Sequence, residues 1–325
     1  MALFRQNKNL RQEINTGFGV NSANSAGRFY DRGSGTANVI KRGINVFDRY
    51  SWYHTLLAMP RGKFIFLLFV IYIVINLVFA GIYYAIGIEH LSGINKNSGL
   101  NSFAEVFFFS TQTFTTVGYG RISPLGFLTS FVATFEAFIG LLSFALATGL
   151  FYGRFSRPRA YLRFSHNAVI APYKDGIALM FRMAPYKNNN LSEVDTKATI
   201  AMQVEENGKR VNRFYSLDLE ISNITALALS WTIVHPIDEK SPLYNFSHEE
   251  MKNANVEVLA FVKAFDNVFS NTVMTRYSYI ASEIVWGAKF KIMYHPNHDK
   301  TKTILNLSQL NDFENVTLPE TILVS

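Results

Sequence analysis

"TFTTVGYGRISP", residues 113–124, sets two glycines either side of a tyrosine, straight after two threonines and a valine. The stretch lies between two long apolar runs. What backbone-permissive residues contribute there depends on those neighbours.

Upstream, "FIFLLFVIYIVINLVFAGIYYAIGI" (64–88) runs 25 residues without a charge. As a helix it reaches about 37 Å, against a hydrocarbon core of about 30 Å. Tyr83 and Tyr84 near its end suit the interfacial aromatic belt. Downstream, "LGFLTSFVATFEAFIGLLSFALATGLFYG" (125–153) carries Glu136 as its one ionisable residue and is rich in Gly, Ala, Ser and Thr. Small residues let helices approach closely in lipid, so this second span is expected to pack in a bundle. Lys41, Arg42, Arg49, Arg61 and Lys63 precede the first span, and Arg154, Arg157, Arg159 and Arg163 follow the second. The loop between carries only Lys96 and Arg121 as basic residues of that kind. The positive-inside rule then puts both termini in the cytoplasm and the loop outside.

That loop is too apolar to be a plain connection. "NSFAEVFFFSTQTFTT" (101–116) reads as a short helix over about 102–115, opened by a Ser102–Glu105 capping box. It is too short to span, and Phe103, Val106, Phe107, Phe109 and Phe114 make it a re-entrant segment. Non-helical backbone at membrane depth must be buried in protein or line a wet cavity. Residues 116–120 are therefore expected to run extended, with carbonyls aimed at an axis. Such alternation needs dihedrals that a Cβ resists, and Gly118 and Gly120 can supply them. The carbonyls of Thr116, Val117, Gly118 and Tyr119, with the Thr116 hydroxyl, can replace the water shell of a cation. One chain gives one side of each cage, so four chains are needed. TVGYG resembles the filter motif of potassium channels, and that resemblance implies K⁺ at these residues.

Composition limits the alternatives. The chain has 325 residues, net charge +7, 49% apolar residues and no cysteine. Disulfides, thiolate metal sites and cysteine nucleophiles are excluded. Basicity can serve nucleic acid or an anionic membrane face, and its position beside the spans selects the membrane. Residues 1–45 are polar, lack an apolar signal-peptide core, and are expected to be disordered or loosely docked.

The chain resembles prokaryotic inward-rectifier potassium channels over roughly residues 45–295. The likeness rests on "WYHTLLAMP", "FFFSTQTFTTVGYG", "GLFYGRFSRPRA", "FSHNAVI", "LSWTIVHPIDEKSPLY" and "SEIVWGAKF", in family order. It implies a homotetrameric channel, not an enzyme, with no cofactor beyond K⁺ in the filter, in the cell (inner) membrane. It implies a membrane α fold of two spans and a pore helix, with a cytoplasmic immunoglobulin-like β-sandwich. The parts would be a tail (1–45), an amphipathic slide helix (46–60), the pore domain (61–157, filter 116–120) and the sandwich (158–325). Animal members carry a cysteine pair flanking the pore loop, which is absent here.

Within 46–58, Val46, Phe47, Tyr50, Tyr53 and Leu57 form one apolar stripe, as a helix lying in the membrane surface requires. On the second span, Phe144, Thr148 and Tyr152 share a face within about 80°, while Glu136 lies about 160° from Tyr152. Tyr152 is where family members place a bulky ring at the bundle crossing, so four of them are expected to form a hydrophobic gate. Gly140 and Gly149 fit either bending or close packing. Strong rectifiers hold an acid at the position of Phe144, so Mg²⁺ and polyamines are expected to block only weakly. Gln112 replaces a glutamate that in relatives pairs with a base beyond the filter, so that pair with Arg121 is lost.

Residues 160–325 alternate in polarity between turn signals. Hairpins are expected around Asp175-Gly176 and Asn207-Gly208, with further strands in "LALSWTIVHPI", "VEVLAFVKAF" and "GAKFKIMYH". His166 and His235 are expected to be structural. Glu205 and Glu206 fit a cation-attracting ring or a solvated hairpin. Arg49, Arg61, Lys63, Arg154, Arg157 and Arg159 are the candidate site for membrane lipids, meaning anionic phospholipids or phosphoinositides, at about 1 kcal/mol per charge. No nucleic-acid partner is expected. The alternatives are a two-span potassium channel gated by protons or another cytosolic ligand, a membrane-anchored adhesion module, and a membrane enzyme. The charge distribution opposes the adhesion reading, and no nucleophile–base pair supports the enzyme.

Overall fold

The structure, a computed structural model, describes residues 14, 16–18, 28–31, 35–43, 45, 51–94, 99–187, 191–206 and 208–319. Arg49, Lys96, Asn207 and the stripe residues Val46, Phe47 and Tyr50 lie outside that set. The chain divides into two compact units, 42–157 and 1–41 with 158–325.

The first unit is helical. Helix α1 (Trp52–Ala58) is capped by Ser51, whose hydroxyl accepts the His54 N–H. Pro60 separates it from α2 (Arg61–Ile86), which ends at Gly87 with φ +118°. Helix α3 (Gly99–Phe114) is the short loop helix, and α4 (Phe127–Phe155) is the second span. At 1.5 Å per residue α2 and α4 are about 39 and 43 Å long. Only 17% and 11% of their most apolar windows are buried. A soluble core helix would bury most of that surface, so these apolar faces are made for lipid or for other subunits. Helix α3 begins three residues before Ser102, which is buried inside the helix, so the expected capping box is not its start.

Ring contacts fix how α3 re-enters. Tyr84 meets Phe103, Tyr83 meets Phe109 and Tyr72 meets Phe114, at 5.8, 5.2 and 5.8 Å, so α3 runs antiparallel to α2. Against α4, Ser110 meets Glu136, and Gly140 abuts the Phe114 carbonyl. Both partners advance by one turn, so α3 and α4 run parallel. The outer loop is closed by strands β1 (Leu91–Ser92) and β2 (Ser123–Pro124), paired antiparallel. Leu91 and Ile122 bury there, in one cluster with Val106 and Phe109.

The second unit is a sandwich. One sheet is built from β3 (Leu162–Phe164), β4 (Ala168–Tyr173), β5 (Gly176–Pro185), β9 (Trp231–Ile237) and β12 (Ile284–Trp286). The other has β6 (Leu191–Glu206), β7 (Lys209–Leu217), β8 (Asn223–Ala226), β10 (Glu257–Asp266) and β11 (Asn271–Ile280). Pairing is antiparallel except for β4 with β12. Leu179 and Phe181 of one sheet and Ile200 and Val258 of the other share a single core. A fully buried side chain of this kind contributes about 1.5–3 kcal/mol. The first expected hairpin turns one residue early: Tyr173 pairs with Gly176, and Lys174 takes φ +50°. The second pairs Glu206 with Lys209. Helix α5 (His248–Asn253) carries a capping box of Ser247 and Glu250. "GAKFKIMYH" divides into β13 (Ala288–Phe290) and β14 (Tyr294–Pro296) rather than one strand.

These short strands pair with C-terminal partners, β14 with β15 (Thr303–Leu305) and β13 with β16 (Phe313–Asn315). Buried Arg182 anchors the same segment. Its guanidinium donates to the carbonyls of Lys291, Gln309 and Leu310 at 2.5, 2.8 and 2.7 Å. The described part of the polar tail is not loosely docked. Phe29 is 5% exposed against Phe214, at 5.3 Å between rings. Its N–H meets both Glu257 carboxylate oxygens at 3.1 Å, and Arg28 pairs with Glu283. Burial pushes the Glu257 carboxyl above the usual range. Two phenylalanines, Phe18 and Phe29, overcome the polarity of the segment around them.

Candidate functional site

Helix α3 delivers the chain into residues 115–120, all exposed on the single subunit. The Gln112 carbonyl accepts the N–H groups of Val117 at 2.9 Å and Gly118 at 3.3 Å. Donors therefore point back to the helix. Backbone φ is positive at Thr116 (+57°), Gly118 (+51°) and Gly120 (+81°), but not at Val117 or Tyr119. Such an alternation of φ is what a run of carbonyls directed to one axis requires. The glycines act as expected. The positive φ of Thr116, itself an expected filter residue, was not foreseen: a β-branched residue there is a true outlier. It is held by its N–H to the Thr113 carbonyl at 3.0 Å. No composition rule places strain on a threonine, so only the structure reveals it.

Arg121, after the second glycine, pairs with Glu105 at 3.3 Å. The pair expected to be lost at Gln112 has a counterpart two turns earlier on α3, between Glu105 and Arg121. An exposed pair of this kind contributes at most about 1 kcal/mol. Gly93 lets the outer loop pass this point: a Cβ there would lie 2.0 Å from the Arg121 carbonyl.

Behind the filter, α4 supplies Glu136, fully buried. Tyr83 of α2 donates to it at 2.7 Å and Ser110 of α3 at 2.5 Å. The expectation that Glu136 points away from the Tyr152 face holds, and its partner is the pore helix of the same chain. Gly140 packs closely rather than bending: an added Cβ would sit 1.9 Å from the Phe114 carbonyl oxygen. Gly149 has open space around it. Phe144 and Tyr152 are 73% and 74% exposed, and Thr148 turns its hydroxyl to the Phe144 carbonyl at 2.8 Å. A cavity of about 670 Å³ lies among Ile71, Phe114, Thr116, Gly140 and Phe144.

The basic residues separate into two kinds. Arg61, Lys63, Arg157 and Arg159 are exposed. Arg154 is half-buried and donates to the carbonyls of Leu56, Leu57 and Met59 at 2.5, 3.3 and 2.6 Å, with its head 4.4 Å from the Phe64 ring. It thus caps the end of α1, where Tyr53 and Leu57 face Gly153. In the sandwich, His235 occupies an inward position of β9, among Ile233 and Ile237. A polar ring there needs both nitrogens satisfied. The Asp218 carbonyl at 2.7 Å only accepts, so Nδ1 donates and Nε2 accepts from Ser241 at 2.8 Å. Burial holds this imidazole below the ordinary histidine range, which fits a structural role. Glu206 forks onto Arg213 at 2.9 and 2.5 Å, and those hydrogen bonds lower its pKa. Its charge is committed across the hairpin rather than free for a cation ring.

A filter-like loop hung between two spanning helices defines the two-span channel class, and residues 71–157 match the family model described as ion channel. Residues 162–324 match the inward rectifier potassium channel C-terminal domain. The inward rectifier potassium channel Kirbac3.1 of Paramagnetospirillum magnetotacticum is 34% identical over 79% of this chain and 86% of that protein. The chain therefore belongs to the inward-rectifier potassium channel family, a family of membrane ion channels and not of enzymes. ATP-sensitive inward rectifier potassium channel 12 of Gallus gallus is 27% identical over 71% of this chain and 58% of its own. Inward rectifier potassium channel 18 of Homo sapiens is 27% identical over 59% and 47%.

Proposed function

We propose that four copies of this chain surround a common axis and pass K⁺ passively through Thr116–Gly120. The observation that carries this is the alternation of φ over 116–120, with N–H groups turned back to Gln112. Carbonyls so directed can replace an ion's hydration shell. The sites lie at Thr116, Val117, Gly118 and Tyr119. Residues 46–60 lie in the membrane surface, 61–157 form the pore, and 158–325 extend it into the cytoplasm, with both termini inside. The exposed Tyr152 rings close on one another at the cytoplasmic end and gate by excluding water. Arg61, Lys63, Arg157 and Arg159 take anionic phospholipid headgroups, while Arg154 holds α1. Phe144 leaves Mg²⁺ and polyamines as weak blockers. Rubidium uptake into liposomes, competed by K⁺ but not Na⁺ and blocked by barium, is the expected result. Uptake competed equally by Na⁺, or a monomer in lipid, overturns the reading.

A further inference from the structure

We propose that Glu136 is a positioning residue for the filter, acting through Ser110 and Tyr83; this rests on the filter reading above. The carboxylate is the one acidic side chain in the second span, and it is fully buried where α2, α3 and α4 meet. Each of its oxygens accepts one hydroxyl, Ser110 on Oε1 and Tyr83 on Oε2. Ser110 is committed to this node, since its single hydrogen also faces the Asn76 carbonyl and Oδ1 at 3.2 and 3.1 Å. Asn76 in turn donates to the Tyr72 carbonyl at 2.7 Å. One polar node therefore ties both spans to the pore helix.

Its place on α3 decides what it does. Ser110 lies two residues before Gln112, whose carbonyl fixes the Val117 and Gly118 N–H groups. Four residues on, the Phe114 carbonyl rests against Gly140, one turn past Glu136 on α4. These two contacts oppose sliding and rotation of α3 against α4. Ser110 and Phe114 lie on one helix, so a shift at Ser110 is carried to the helix end that leads into residues 116–120. Close apolar packing alone would resist separation, but not rotation. Hydrogen bonds add direction, and a buried carboxylate is costly unless its partners are in place.

The test uses the full-length protein in liposomes and detergent. Wild-type assembly is heated across a K⁺ series, giving the K⁺ concentration for half-protection, and rubidium uptake is competed with Na⁺. In Y83F, S110A and E136Q that midpoint is expected to rise, by up to about tenfold where the charged hydrogen bond is made only around the K⁺-loaded filter, with a gain in Na⁺ competition. F79A, which removes apolar packing from the same cluster, is expected to lower thermal stability without moving the midpoint. Wild-type midpoint and selectivity in both Y83F and S110A would overturn the proposal. Y83F keeps its ring against Phe109, so it assembles even where E136Q does not. Absence of K⁺ protection and K⁺ preference in the wild type would instead overturn the filter reading.

Discussion

Replacing Gly140 by alanine adds one methyl group where the structure has least room. The ideal Cβ lies 1.9 Å from the Phe114 carbonyl oxygen, 2.8 Å from its carbon and 3.1 Å from its Cα. Ordinary contact begins at 3.4 Å, so the end of α3 must retreat by about 1.5 Å. The obstacle is backbone, and no rotamer change relieves it. Overpacking costs about 1–3 kcal/mol, and this site belongs at the upper end. Alanine returns up to about 1 kcal/mol of helix propensity. The net expectation is a loss of assembly stability of roughly 2 kcal/mol. The retreat also carries Thr116, two residues on, away from its place. Gly149 is the internal control, because it has nothing within 4 Å. Heating followed by size exclusion reads assembly, and rubidium uptake reads the filter. G140A is expected to lose both, and G149A to keep its stability. G140A matching the wild type in both assays would refute the packing argument. Loss of uptake in G149A alone would restore the bending role that the sequence left open.

Four further outcomes are expected. Y152A widens the proposed constriction and raises basal rubidium uptake without altering K⁺ preference; unchanged uptake removes Tyr152 from the gate. R154A strips the cap from Leu56, Leu57 and Met59 and lowers thermal stability, whereas R157A leaves stability intact and weakens the response of uptake to anionic lipid. F144E introduces steep spermine block from the cytoplasmic side, measured against a nearly linear wild type. His235 is held below the ordinary histidine range, so the folded state binds this proton less readily than the unfolded chain. Its contribution is complete above the unfolded value of about 6.5 and falls as pH drops below it, by up to about 1.4 kcal/mol per pH unit. Melting curves from pH 7.5 to 5 are expected to flatten in H235Q.

Most of the pore was legible because lipid makes severe demands on sequence. A span must be long and uncharged, and a re-entrant helix short and apolar, so 64–88, 102–115 and 125–153 fall within a few residues of α2, α3 and α4. Glycine at 118 and 120 announces the dihedrals it permits. Thr116 does not, because its φ is imposed by neighbours. Glu105 was misread for a related reason. Its spacing from Ser102 satisfies a local motif, while its true partner, Arg121, lies beyond the filter. An acid on the pore helix and a base just after residue 120 were the signal available. The described part of the tail was misjudged since composition averages over the few aromatic residues that dock it. Arg154 shows the limit of charge counting: a cation beside a membrane reads as a lipid ligand until three carbonyls of its own chain surround it.

Closure of the outer loop by the β1–β2 ladder has a practical side. Here two residue pairs and a small apolar cluster close the loop with no covalent staple. Thiol oxidation and disulfide exchange then have no group to act on in this sequence. A single cysteine introduced for a spin label or fluorophore is then the one thiol of each chain, so distances between equivalent positions of the assembly can be read without first engineering a thiol-free background.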